Sequence, residues 1–90
     1  MREARLDKLL RSIAANVRAL RRARKLTQEQ LAERAGMDLS YLQRIERAET
    51  NLSMDKLLGV ADAFGVAPGQ LLRPARLPAL QRGRPPRQSD

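Results

Sequence analysis

The 90-residue sequence predicts an all-α domain of five helices with a basic tail behind it. Three observations carry that expectation. Aromatic residues are 2% of the chain and apolar residues 42%, so the core must be built from Leu, Ile, Val, Ala and Met, which suit packed helices better than sheets. Apolar side chains recur three and four residues apart. Capping residues and glycines punctuate the segments between them.

Leu9, Ile13, Val17 and Leu20 stand at helical spacing, with Leu6 and Leu10 beside them, and predict an amphipathic helix from about Arg5 to Lys25. Its end, "RALRRARK", suits the negative pole of a helix dipole. A basic amphipathic helix can also lie on a membrane, but the following segments offer this one a core to join. In "LTQEQLAERAG", Thr27 caps a second, short helix, and Gln30 stands at capping-box spacing from it. Leu31, Ala32 and Ala35 form its apolar face, and Gly36 stops it. Asp38 can cap a third helix over Leu39 to Arg47. At about 100° per residue, Leu42 and Ile45 face the core while Ser40, Gln43, Arg44 and Arg47 face outward. Ser53 caps a fourth helix running to about Phe64, with Leu57, Leu58, Ala61 and Phe64 expected inward, and Gly65 ends it. Pro68 suits the first turn of a last short helix that ends in Leu71 and Leu72. From Arg73 onward, "RPARLPALQRGRPPRQSD" is rich in Pro and Arg and reads as a disordered or extended tail. The expected division is thus a domain over residues 1–72 and a tail over 73–90.

Cysteine and histidine are both absent. Disulfides and cysteine-bound zinc are therefore excluded, as is the commonest general base. No carboxylate cluster stands in for them, so neither catalysis nor a cofactor is expected. No apolar run reaches the roughly 18 residues of a membrane span, and no signal peptide is evident, so a cytoplasmic protein is expected. The net charge of +8 is unevenly placed. Residues 1–28 carry nine basic and two acidic residues, residues 29–72 four and seven, and the segment from Arg73 five and one. Such a basic excess points to a polyanion, most often nucleic acid, as partner.

The short second and third helices, joined by a glycine-led turn, make a helix-turn-helix arrangement. "LRRARKLTQEQLAERAG", "SYLQRIER" and "NLSMDKLLGVADAFGV" resemble the lambda-repressor/Cro-like (XRE) DNA-binding domains in the order and spacing of every part. The resemblance covers about Ile13 to Leu72. It implies a transcriptional regulator that binds double-stranded DNA as a homodimer, with its third helix in the major groove. Leu39, Ser40, Gln43 and Arg44 are then expected at base edges. Gln28, Tyr41, Arg47, Thr50 and Asn51 are expected on phosphates. Arg21 and Glu46 match a family ion pair, expected to position the third helix. Phe64, Val66, Leu71 and Leu72 are the expected dimer surface. Family members often have glycine where this chain has Ala48; alanine takes a left-handed cap less readily, which moves the expected bend toward Asn51. The other function such a fold supports is a protein-interaction module, an antitoxin or adaptor, with Leu77 and Leu80 of the tail as its apolar anchors. No small-molecule ligand is evident.

Overall fold

In the computed structural model, which describes residues 3–76, the chain forms α1 (Ala4–Ala23), α2 (Gln28–Ala35), α3 (Leu39–Glu46), α4 (Met54–Phe64) and α5 (Pro68–Leu71). α1 packs on α3 and α5, α2 on α3 and α4, and α4 on α5. The core they enclose contains Leu10, Ile13, Val17, Leu31, Leu42, Ile45, Leu57, Val60, Phe64 and Leu71. No helix among the described residues is long and apolar enough to cross a membrane. Residues 77–90, and with them Leu77 and Leu80, lie outside the described residues.

Helices of two turns, such as α2 and α3, are marginal alone, so their ends must be sealed and their faces buried. The first four helices end in the same way. The N–H one or two residues beyond each helix cap bonds back to a carbonyl five positions earlier: Leu26 to Arg21 at 3.0 Å, Met37 to Ala32 at 3.0 Å, Glu49 to Arg44 at 2.9 Å and Val66 to Ala61 at 3.0 Å. This closure requires a left-handed residue at the turn. Gly36 (φ 69°) and Gly65 (φ 70°) supply it cheaply; Lys25 (φ 55°) and Ala48 (φ 58°) supply it under steric strain. The bend after α3 therefore falls at Ala48 itself, not at Asn51. The Ala48 methyl is only 6% exposed and packs in the core, which offsets the strain.

Several expected positions differ. Leu10, Ala14 and Ser12 face inward on α1, while Leu6 and Leu9 are 37% and 40% exposed. On α4 Val60 takes the inward place and Leu58 turns out, because Leu57, Val60, Ala61 and Phe64 share one face and Leu58 lies about 100° round the helix from Leu57. Phe64 and Leu71 are buried to 5% and 0% exposure, so they close the core and are not open to a second copy; Val66 and Leu72 are half-buried. Asp38 holds the N-cap position without a side-chain cap bond; its carbonyl accepts from Tyr41 and Leu42 instead. Residues 73–76, the start of the segment expected as a disordered or extended tail, lie against α1. Asn16 Nδ2 donates to the carbonyls of Leu71 and Arg73, both at 2.9 Å. The Ala75 N–H donates to Ser12 Oγ at 3.2 Å.

The two strained caps separate strain from packing. Lys25→Gly, at an exposed site, is expected to raise stability by about 1 kcal/mol, a Tm gain of roughly 4–8 °C for a domain of this size. Ala48→Gly relieves the same strain but deletes a buried methyl worth about 0.8 kcal/mol, so little net change is expected. Thermal unfolding of both variants checks the pair; equal gains would contradict the packing role of Ala48.

Candidate nucleic-acid interface

The site is assembled around α2 and α3. Thr27 Oγ1 accepts from the Gln30 N–H at 3.0 Å, and Gln30 Oε1 accepts from the Thr27 N–H at 2.9 Å, completing the capping box that starts α2. Gly36 ends α2 and turns the chain through Met37 and Asp38 into α3. Leu42 and Ile45, at 0% and 3% exposure, set the rotation of α3 about its axis. Ser40, Arg44 and Arg47 are consequently exposed, and Leu39, Tyr41 and Gln43 half-buried.

One polar chain crosses the junction of α1, α2 and α3. Arg21 Nε donates to Glu46 Oε2 at 2.7 Å and Arg21 Nη2 to Glu46 Oε1 at 3.0 Å. Arg21 Nη1 donates to the Leu26 carbonyl at 3.0 Å. Gln28 Nε2 donates to Glu46 Oε1 at 3.0 Å, and Gln43 Nε2 to Gln28 Oε1 at 3.4 Å. Glu46, only 3% exposed, thus has both carboxylate oxygens occupied by donors. Gln28 and Gln43, expected to contact a phosphate and a base separately, form one unit with the ion pair.

On the other flank, Tyr41 holds the loop after α3: its hydroxyl donates to the Asn51 carbonyl at 3.2 Å, where Thr50 Oγ1 also donates at 3.2 Å. The Arg44 guanidinium lies over the Tyr41 ring, 5.5 Å from its centre, within cation–π range. Arg47 reaches Glu49 at 3.0 Å, but both are more than half exposed, so the pair contributes little and leaves Arg47 available.

Arg18, Arg21, Arg22, Gln28, Glu46 and Arg47 line a cleft beside this network. Partial burial lowers the pKa of the Arg18 guanidinium from its ordinary value; repulsion from Arg22 and Arg21 adds to this and Glu46 opposes it. Arg18 and Arg22 were not foreseen individually. Their signal was the run "RALRRARK", but a charge run does not say which cations face the cleft. Arg24, from the same run, instead donates to the Phe64 carbonyl and lies 5.4 Å from the centre of the Phe64 ring, tying α1 to the end of α4. Among the described residues no group of Asp and Glu is placed to hold a metal.

A long first helix, two short helices joined by a glycine turn and an ion pair beneath the second define a helix-turn-helix domain. The chain belongs to the helix-turn-helix family, of the XRE type: its family model matches residues 17–71. The members are DNA-binding transcription regulators, not enzymes. The chain is 46% identical over 55 residues to the immunity repressor protein of Bacillus phage phi105, spanning 61% of this chain but 38% of that protein. It is 38% identical over 60 residues to the control protein C.SmaI of Serratia marcescens, covering 67% and 71% of the two. Among solved structures it is similar to the restriction-modification controller protein C.AhdI from Aeromonas hydrophila, with 37% identity and a TM-score of 0.67 over 69% of this chain and 94% of that one.

The buried pair yields a stability test. Glu46→Gln leaves the Arg21 charge, on a side chain 13% exposed, without its counter-ion, and about 3 kcal/mol or more of stability is expected to be lost. The double variant Arg21→Met, Glu46→Leu removes both charges and is expected to recover most of that loss. Urea unfolding of the three proteins measures it; a double variant no more stable than Glu46→Gln would contradict this account.

Proposed function

We propose that this chain is a sequence-specific DNA-binding transcriptional regulator that reads a near-palindromic operator as a homodimer, with α3 in the major groove. The observation that carries the reading is how α3 is held. Leu42 and Ile45 anchor it in the core and the Arg21–Glu46 pair fixes its C-terminal end, so Ser40, Gln43 and Arg44 project from a rigid support. Rigid presentation is what base reading requires, because a bidentate contact tolerates little displacement.

Arg44 pairs with guanine O6 and N7, Gln43 with adenine, and Leu39 meets a thymine methyl, with Ser40 hydrogen-bonding a base edge beside them. Gln28 at the start of α2, Tyr41, Arg47, Thr50 and Asn51 hold the phosphate backbone, assisted by the α2 dipole. Two half-sites about one helical turn apart, roughly 10 bp, match a two-fold dimer. The names of C.SmaI and C.AhdI as control proteins, and of the phage protein as a repressor, support a regulatory role.

Selection of bound sequences from random DNA tests this. The wild-type chain is expected to enrich a two-fold symmetric motif. Arg44→Ala is expected to lose about 1–3 kcal/mol of discrimination at one base pair of each half-site and to keep the others. An identical motif from both proteins would refute the assignment of Arg44, and no motif from the wild type would refute the function.

A further inference from the structure

Residues 72–76 form a strap across α1 that is specifically built. Ser12 is a polar side chain 5% exposed on the inward side of an amphipathic helix, and its hydroxyl is spent on the backbone of Ala75. Asn16, one turn on, spends its amide on the carbonyls of Leu71 and Arg73. The result is a placement: Arg76 lines a second shallow cleft with Ala15, Arg18, Ala19 and Arg22. Arg18 and Arg22 also line the first cleft, with Gln28 and Arg47. The two clefts therefore share a wall, and cations continue from the helix-turn-helix over α1 to the strap. Among the described residues, Glu46 is the one carboxylate lining either cleft, and Arg21 and Gln28 already occupy it. Arg18, Arg22 and Arg76 have no ion-pair partner among the described residues. Guanidinium groups stay charged, so three cations are held together without an ion-pair partner, the nearby Glu46 being already paired with Arg21.

We infer that Arg18, Arg22 and Arg76 form a second phosphate-binding surface, which grips the DNA backbone flanking each half-site, and that Ser12 and Asn16 are positioning residues that place Arg76 in it. The inference rests on the DNA-binding reading above and extends it. Gln28 and Arg47 mark where the backbone runs at the first cleft; the adjoining arginines continue that track outward. Guanidinium forks suit phosphate oxygens, and such contacts carry affinity without sequence preference.

The test uses the full chain on duplexes carrying its selected motif, either trimmed to the motif or extended by about six base pairs, roughly 20 Å, on each side. The wild type is expected to bind the extended duplex more tightly by roughly tenfold at low salt, the Arg18→Gln, Arg22→Gln, Arg76→Gln triple variant equally on both. The triple variant is also expected to reduce the slope of log affinity against log salt by about 2 to 3 per protomer, and Arg76→Gln alone by about 1. Both are expected to select the wild-type motif. Asn16→Ala, which retains every cation, is expected to lose part of the preference for the extended duplex. Arg76 is exposed, so its variant keeps the fold and remains informative if Asn16→Ala unfolds. An unchanged salt slope in Arg76→Gln and the triple variant, or a preference for extended duplexes that survives in the triple variant, overturns the second surface while leaving the regulator reading intact. A wild type that binds no motif overturns both.

Discussion

A carboxylate buried at the C-terminal end of a helix is placed against physical preference twice. Burial removes its water, and the helix dipole presents it with a negative pole. Glu46 occupies that position, and the structure around it follows from the need to satisfy it. Arg21 does so with two parallel hydrogen bonds, while its remaining nitrogen holds the Leu26 carbonyl just ahead of α2. Because the guanidinium is planar, this contact fixes orientation as well as distance; an ammonium would satisfy the charge without fixing the angle. Gln28 then joins the same carboxylate, so α1, the turn before α2, α2 and α3 meet at one point. Apolar residues of similar size would stabilise such a junction at least as well. What the ion pair adds is a defined angle between α3 and the rest of the domain.

That angle matters only if α2 and α3 exist as helices, and at eight residues each they depend on their ends. The recurrent closure after the first four helices serves this purpose. It caps carbonyls that would otherwise be orphaned, and at three of the four ends the residue it folds back is apolar: Leu26, Met37 and Val66 pack in or against the core. Each helix end is thereby joined to the core, so local capping and global packing favour the same conformation. Ala48 is the place where the two requirements conflict. The turn wants glycine and the core wants a methyl, and the alanine is retained with its φ at 58°.

Much of this was legible in the sequence because it is local. Thr27 with Gln30, Gly36, Ser53 and Gly65 announce helix ends through chemistry confined to a few residues. The Arg21–Glu46 pair spans 25 residues and was reached through resemblance, since no periodicity links the two. Helix phase was less legible: α1 carries more leucines than one face can bury, and choosing Leu10 over Leu6 and Leu9 requires knowing where α5 lies. Ser12 with Ala75 and Arg24 with Phe64, separated by 63 and 40 residues, leave no local trace. A polar residue on an apolar face was the available signal for the strap, and it names no partner.

The strap also changes what the charge distribution means. Along the chain the basic residues fall in two blocks at opposite ends, with an acidic excess between them. Folding brings the described part of the second block onto the first, so Arg73 and Arg76 lie on α1 and not at a far extremity. On the proposed reading, a few exposed groups on α3 discriminate between sites but add little affinity, since affinity for a polyanion scales with the number of phosphates neutralised. A small reader therefore needs cations close to its recognition helix yet off it, where they cannot compete for base edges. α1 meets both conditions. Its inward face carries the core and Arg21, and Arg18 and Arg22 border the helix-turn-helix without crossing it. One helix thus fixes the position of α3 and carries the cations beside it, which on the proposed reading supply the field that draws DNA to it.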